Sequence, residues 1–225
     1  MIVNDDWMNL LLARLKEVFS DRLLFAGLQG SYQRGEATEE SDIDVVVVLD
    51  KLTADDLRIY RGLVADLQEG EKVCGFISGR AELRNWPKFE LFQFVADTRP
   101  YWGELTGLTP EIGRADIAEG LRIWASSLYH GAAHTFLFGR GAAAAEAVGG
   151  FYKQSFFMLQ TAYYLREGRY VRTKKELLTL LQGQEREILE TGMDFGRHRD
   201  RCVADPSEYL TQILTWSSAI LQETS

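Results

Sequence analysis

The chain of 225 residues is poor in the side chains that build disulfide and zinc frameworks, with two cysteines, three histidines and four prolines. Cys74 and Cys202 stand in no redox or metal-ligand spacing, so each reads as a small buried apolar side chain. His130 and His134 lie four residues apart on a predicted helix, but no His-Glu-x-x-His pattern or third ligand accompanies them, which argues against a metal site. No run of about 18 uninterrupted apolar residues occurs, so no membrane-spanning helix is expected. Residues 1–6 are acidic rather than basic ahead of the first apolar segment, and the expected location is cytoplasmic. Positive charge is also short, with 25 lysines and arginines against 33 acidic residues. Residues 1–107 hold 19 acidic and 12 basic side chains, whereas residues 108–225 hold 14 and 13. Without a basic stripe to replace condensed counterions, nucleic acid is not expected as a partner. A neutral or cationic molecule suits the acidic half better.

What the chain has in quantity is apolar side chains, 46% of the total, enough for a substantial core. Residues 5–19 place Trp7, Leu11, Leu15 and Val18 on one helical face, behind two acidic residues at the positive end of the helix dipole. Residues 23–28 and 42–49 read as strands, the second valine-rich and covered on both faces. Residues 54–68 return to a helical pattern, and the apolar runs 73–77 and 91–96 read as further strands. Beyond Pro110 helical spacing dominates, through Ile117, Leu121, Trp124 and Leu128, then Tyr152, Phe156, Leu159 and Tyr163, and again Tyr209, Ile213, Trp216 and Ile220. One more helix is expected between Lys174 and Leu189, making four joined by glycine-bearing turns, with 197–201 a solvated basic loop. The expected architecture is α+β: a small mixed-sheet domain over residues 1–107 and an all-helical bundle over residues 108–225.

The chemistry-bearing stretch is 27–50. Alternation along a strand points Asp42 and Asp44 to the same side, with Ile43 and Val45 directed into the core. Two carboxylates held together repel unless they bind a cation or share a proton, and Mg²⁺ suits carboxylate and phosphate oxygens. Upstream, Gly30-Ser31 follows a strand and opens a short helix through Arg34. Glycine permits close backbone approach, and amides at a helix start attract phosphate. Together these features point to metal-assisted nucleotidyl transfer from a nucleoside triphosphate.

The order Gly30-Ser31, Arg34-Gly35, then Ser41-Asp42-Ile43-Asp44 resembles the signature of the DNA polymerase β-like nucleotidyltransferase superfamily. The two-domain plan resembles the kanamycin nucleotidyltransferases and aminoglycoside adenylyltransferases. The resemblance implies that Gly30 and Ser31 hold the β- and γ-phosphates and that Asp42 and Asp44 hold two Mg²⁺ ions. Arg34 matches a family arginine that contacts phosphate or shapes the loop. It further implies ATP as donor, a hydroxyl of a small, aminoglycoside-like cationic molecule as acceptor, and room for a homodimer. Many superfamily members carry a third carboxylate on the strand that here is 72–78, which has none. Residues 86–94 resemble an adenylyltransferase segment in which a glutamate before a leucine is the catalytic base, which makes Glu90 the candidate, with Asp97 and Glu82 its rivals. Residues 170–177 resemble a carboxyl-terminal helix start whose lysine meets the triphosphate, which implies that role for Lys174, against a plain Thr173-capped helix with solvated lysines. Two other readings stand beside transfer to a small molecule: an antitoxin-like interaction module acting on a helical protein, and a degenerate homologue that binds nucleotide without transferring it.

Overall fold

The computed structural model describes residues 4–223; of the acidic stretch 1–6, residues 1–3 lie outside that range. The chain divides into two compact units, one ending at Glu111 and the other beginning at Ile112. Among the described residues no helix is long and apolar enough to cross a membrane.

The first unit is a four-stranded mixed sheet of β1 (Leu23–Leu28), β2 (Ile43–Leu49), β3 (Val73–Gly79) and β4 (Arg99–Trp102), in the order β3-β2-β1-β4. The β1 strand pairs antiparallel with β2 and β4, while β2 pairs parallel with β3. Val45 to Leu49 are all essentially inaccessible, as expected of a central strand covered on both faces. Helices α1 (Asp5–Phe19) and α3 (Ala54–Ala65) bury Trp7, Met8, Leu11, Leu15, Leu63 and Val64 against Ile43, Val45, Val47 and Leu49. The α1 helix starts where Asn4 accepts from the Trp7 N–H, a cap that satisfies one orphan donor. Val18, expected on the buried face, is 46% exposed, and Phe19 takes its place in the core. Asp5 accepts hydrogen bonds from Tyr101 and Arg99 of β4, which hold its carboxyl below the usual range. Burial and the same carboxylate push the Tyr101 phenol up to about 12.

One sequence expectation is overturned on the other face. Residues 91–96 are not a strand but part of helix α5 (Lys88–Ala96), which follows the short α4 (Arg80–Arg84). Leu91 to Ala96, apolar except for Gln93, are too few to carry a usable period, and Pro87 at the N-cap position sets the helix start. Phe94 and Trp86 meet Phe76 of β3 edge-on, with ring centroids 4.8 and 5.2 Å apart. The remaining strand is β4, whose Pro100 is tolerated because the strand lies at the sheet edge.

The second unit is helical throughout its regular elements: α6 (Arg114–Phe138), α7 (Gly141–Glu167), α8 (Lys174–Leu180), α9 (Gly183–Met193), α10 (Phe195–Ala204) and α11 (Ser207–Glu223). Leu121, Leu128, Tyr152, Phe156, Leu159, Tyr209, Ile213 and Trp216 join one core, as their spacing predicts. Where one helix was expected over 174–189 there are two, because Leu181 and Gln182 turn extended before Gly183. The basic run 197–201 is helical rather than a loop, anchored by the fully buried Cys202. His130 and His134 are exposed on α6, and His134 lies against Phe138.

Candidate nucleotidyltransferase site

The site grows from the turn between β1 and the five-residue helix α2 (Gly30–Arg34). The strand end is fixed by the Gln29 N–H, which donates to the Asp44 carbonyl at 2.8 Å. Gly30 follows with φ +71°, a conformation that L side chains rarely adopt. A Cβ built on Gly30 would lie 1.9 Å from Oδ2 of Asp44, so the carboxylate sits directly against the glycine backbone. The Gly-Ser turn and the acidic pair are therefore one structural unit. Asp44 is the second residue of β2 and half-buried, while Asp42 lies just before the strand and is exposed. Ser31 is half-buried in the first turn of α2, which ends at Gly35 in the left-handed region.

Arg34 has a defined structural place. Its side chain is 6% exposed and ion-paired with Asp97, and its Nε donates to Glu36 at 3.1 Å. Asp97, weighed in the sequence as a rival base, is thus engaged in binding Arg34. Glu82 folds back over Gly79 at the start of α4, where a Cβ on that glycine would meet its Oε2 at 2.3 Å. Glu90 lies in the first turn of α5, exposed, and accepts from the Trp86 indole N–H at 2.6 Å. Among the described residues no cluster of three or more His, Cys, Asp or Glu side chains is arranged to hold a metal ion.

On β3 the residue directly across from Asp44 in the parallel register is Cys74. It is exposed, contrary to the buried role that the sequence suggested, whereas Cys202 is buried as expected. Lys174 belongs to the second unit, at the first position of α8 behind the Thr173 cap, with its ammonium 5.4 Å from the Phe156 ring centroid. Gln29 and Thr98 are the site-supporting residues that sequence reasoning passed over: the Gln29 side-chain amide donates to the Phe94 carbonyl at 2.9 Å and to the Thr98 hydroxyl at 2.6 Å. The only signal for Gln29 was its place beside Gly30, and nothing in the sequence marked Thr98.

The loop between α2 and β2 borders a cleft of about 740 Å³ lined by Tyr32, Ala37, Thr38, Glu39, Glu40, Glu69 and Lys72. Lys72 is paired with Glu69, so Glu39 and Glu40 leave the cleft negative.

With this geometry in view, residues 11–94 match the nucleotidyltransferase domain family. This segment is a nucleotidyltransferase domain. Nucleotidyl transfer is the chemistry for which that family is named. The fold is similar to that of spectinomycin adenyltransferase AAD(9) from Enterococcus faecialis, solved with ATP and spectinomycin, at a TM-score of 0.58 and 12% identity. That likeness covers 98% of this chain and 100% of the other. A toxin-antitoxin structure with AMP-PNP aligns over 52% of this chain and 86% of its own at 21% identity, with a TM-score of 0.33 that carries no argument. No curated protein matches the sequence.

Proposed function

We propose that the protein moves AMP from a Mg²⁺-bound ATP to a hydroxyl of a small cationic, aminoglycoside-like acceptor. The observation that carries this reading is the contact between Gly30 and Asp44, which packs a phosphate-binding turn against a metal-binding carboxylate. Asp42 and Asp44 are hard oxygen donors, and Mg²⁺ keeps several waters and phosphate oxygens in its shell, so two protein carboxylates suit it. A cation held by Asp42 and Asp44 would supply charge neutralisation and polarisation of the phosphoryl oxygens. Gly30 lets the Asp44 carboxylate close directly on the turn, and the Ser31 hydroxyl donates to the triphosphate. Arg34 serves the nucleotide through the loop it holds. The acceptor oxygen attacks the α-phosphorus, pyrophosphate departs, and the hydroxyl proton passes to Glu90.

The donor and acceptor classes draw support from the AAD(9) likeness, since that protein was solved with ATP and spectinomycin. The negative cleft beside the motif loop supports a cationic acceptor. A cytoplasmic location and a homodimer complete the reading, and sedimentation checks the latter. In the decisive assay the protein is incubated with labelled ATP, Mg²⁺ and a panel of aminoglycosides. Pyrophosphate release is expected to vanish in Asp42→Asn and Asp44→Asn, and Glu90→Gln to lower kcat while sparing the KM for ATP. Full turnover in both aspartate variants rejects the metal assignment.

Cys74 opposite Asp44 favours a second reading, a homologue that binds nucleotide without transferring it. Calorimetric binding of ATP with no pyrophosphate formed from any acceptor supports that one.

A further inference from the structure

A five-residue helix is too short to hold its own geometry, so the Gly30–Ser31 turn must take its orientation from outside α2. Contacts to one segment grip both ends of it. At the leading end the Gln29 side chain donates to the Phe94 carbonyl and the Thr98 hydroxyl, and that hydroxyl itself donates to the Phe94 carbonyl. At the trailing end Arg34 is ion-paired with Asp97, the two side chains 6% and 10% exposed. Phe94, Asp97 and Thr98 all belong to the last turn of α5 and its exit. The same turn is tied to β2 through the Gln29 N–H and the Asp44 carbonyl, and Asp44 rests against Gly30.

We infer that the end of α5, through Thr98 and Asp97, is the brace that sets the Gly30–Ser31 turn and with it the Asp44 carboxylate, making both positioning residues for cation and triphosphate binding. Neither touches the substrate in this assignment. Thr98 acts through Gln29, and Asp97 acts through Arg34. Loosening the brace lets the turn drift from Asp44 while the sheet and the α1 core stay in place, because those rest on separate apolar packing.

The inference rests on the proposed role of Gly30, Ser31 and Asp44, and the experiment separates the two. Binding of a nonhydrolysable ATP analogue with Mg²⁺ is measured by calorimetry in Thr98→Val, Thr98→Ser, Asp97→Asn, Ser31→Ala and Asp44→Asn. Amide exchange of residues 29–35 is followed in each. Thr98→Val and Asp97→Asn are expected to weaken binding about tenfold, the scale of one lost buried hydrogen bond, and to speed exchange selectively in 29–35. Thr98→Ser, which keeps the hydroxyl, restores affinity to within about twofold. Exchange that rises uniformly across the first unit marks a merely structural role and overturns the inference. Weakened binding in Ser31→Ala and Asp44→Asn with unchanged affinity in Thr98→Val and Asp97→Asn also overturns it while sparing the site. Unchanged affinity in Ser31→Ala and Asp44→Asn overturns the site reading itself, and the brace with it.

Discussion

Gly30 and Gly35 bracket α2 with nearly the same backbone, φ +71° and +72°, yet their surroundings differ completely. Placing alanine in the left-handed region costs about 1–2 kcal/mol at either position. Gly35 has nothing within 4 Å of an added methyl, so Gly35→Ala should lose that amount of stability and little else. At Gly30 the methyl would stand 1.9 Å from Oδ2 and 2.8 Å from Cγ of Asp44. Relief requires the carboxylate to swing by more than about 1 Å from van der Waals considerations, into a strained rotamer costing a further ~0.5–1.5 kcal/mol. Gly30→Ala should therefore be destabilised by about 2–3 kcal/mol. In the proposed mechanism, a shift of that size at Asp44 costs roughly a hundredfold in rate. Denaturant midpoints and pyrophosphate release on the matched pair test both halves. Near-normal turnover in Gly30→Ala, or an equal collapse in Gly35→Ala, refutes the claim that the turn and Asp44 are sterically one unit.

Two further outcomes follow from contacts already described or adjacent to them. Asp56 is buried in the first turn of α3, where it accepts from the two terminal Arg22 guanidinium nitrogens at 2.8 and 2.9 Å and from the Thr53 N–H and hydroxyl at 2.9 and 2.7 Å. Arg22 first and Thr53 second hold its carboxyl well below the usual range. A lowered folded value gives stability that is full above the unfolded pKa of about 3.9 and lost as pH falls toward the folded value. Asp56→Asn should thus cost about 2 kcal/mol at neutral pH, combining a weakened cap and a lost charge-assisted pair to a half-exposed arginine. The gap to the unaltered protein should narrow below about pH 4, and an acid titration showing a constant gap contradicts the linkage. Cys74→Asp places a carboxylate on the strand neighbouring Asp44, about 4.8 Å away across the sheet. It is expected to lower the Mg²⁺ concentration for half-maximal turnover, and a fall in activity instead shows that residue 74 does not border the cation.

Strong periodicity made much of this fold readable from residue order. The valine run 45–48 could only be a central strand, and Tyr209, Ile213, Trp216 and Ile220 mark one face of a single helix that is buried along its length. Residues 91–96 read as a strand because six mostly apolar residues satisfy helix and strand alike, and the true edge strand is too short and too proline-marked to announce itself. The helical unit hid the break between α8 and α9 because the extended Leu181 and Gln182 are not turn-forming residues, and Gly183 opens the next helix. In the candidate site, the Gly30 turn and the Asp44 strand that meets it were legible because their residue types and spacing are local. The Arg34–Asp97 pair spans 63 positions and the Gln29–Thr98 contact 69, and no local pattern encodes a tie of that length.

The outer strand β4 has a bearing on how the protein behaves at high concentration. Pro100 brings no amide hydrogen to that rim, and Arg99 places a charge beside it. A stray extended peptide would find the hydrogen-bonding ladder interrupted at its second rung. The sheet is thereby guarded against lengthening into a shared, fibre-like stack on the side where its last strand would otherwise invite a newcomer.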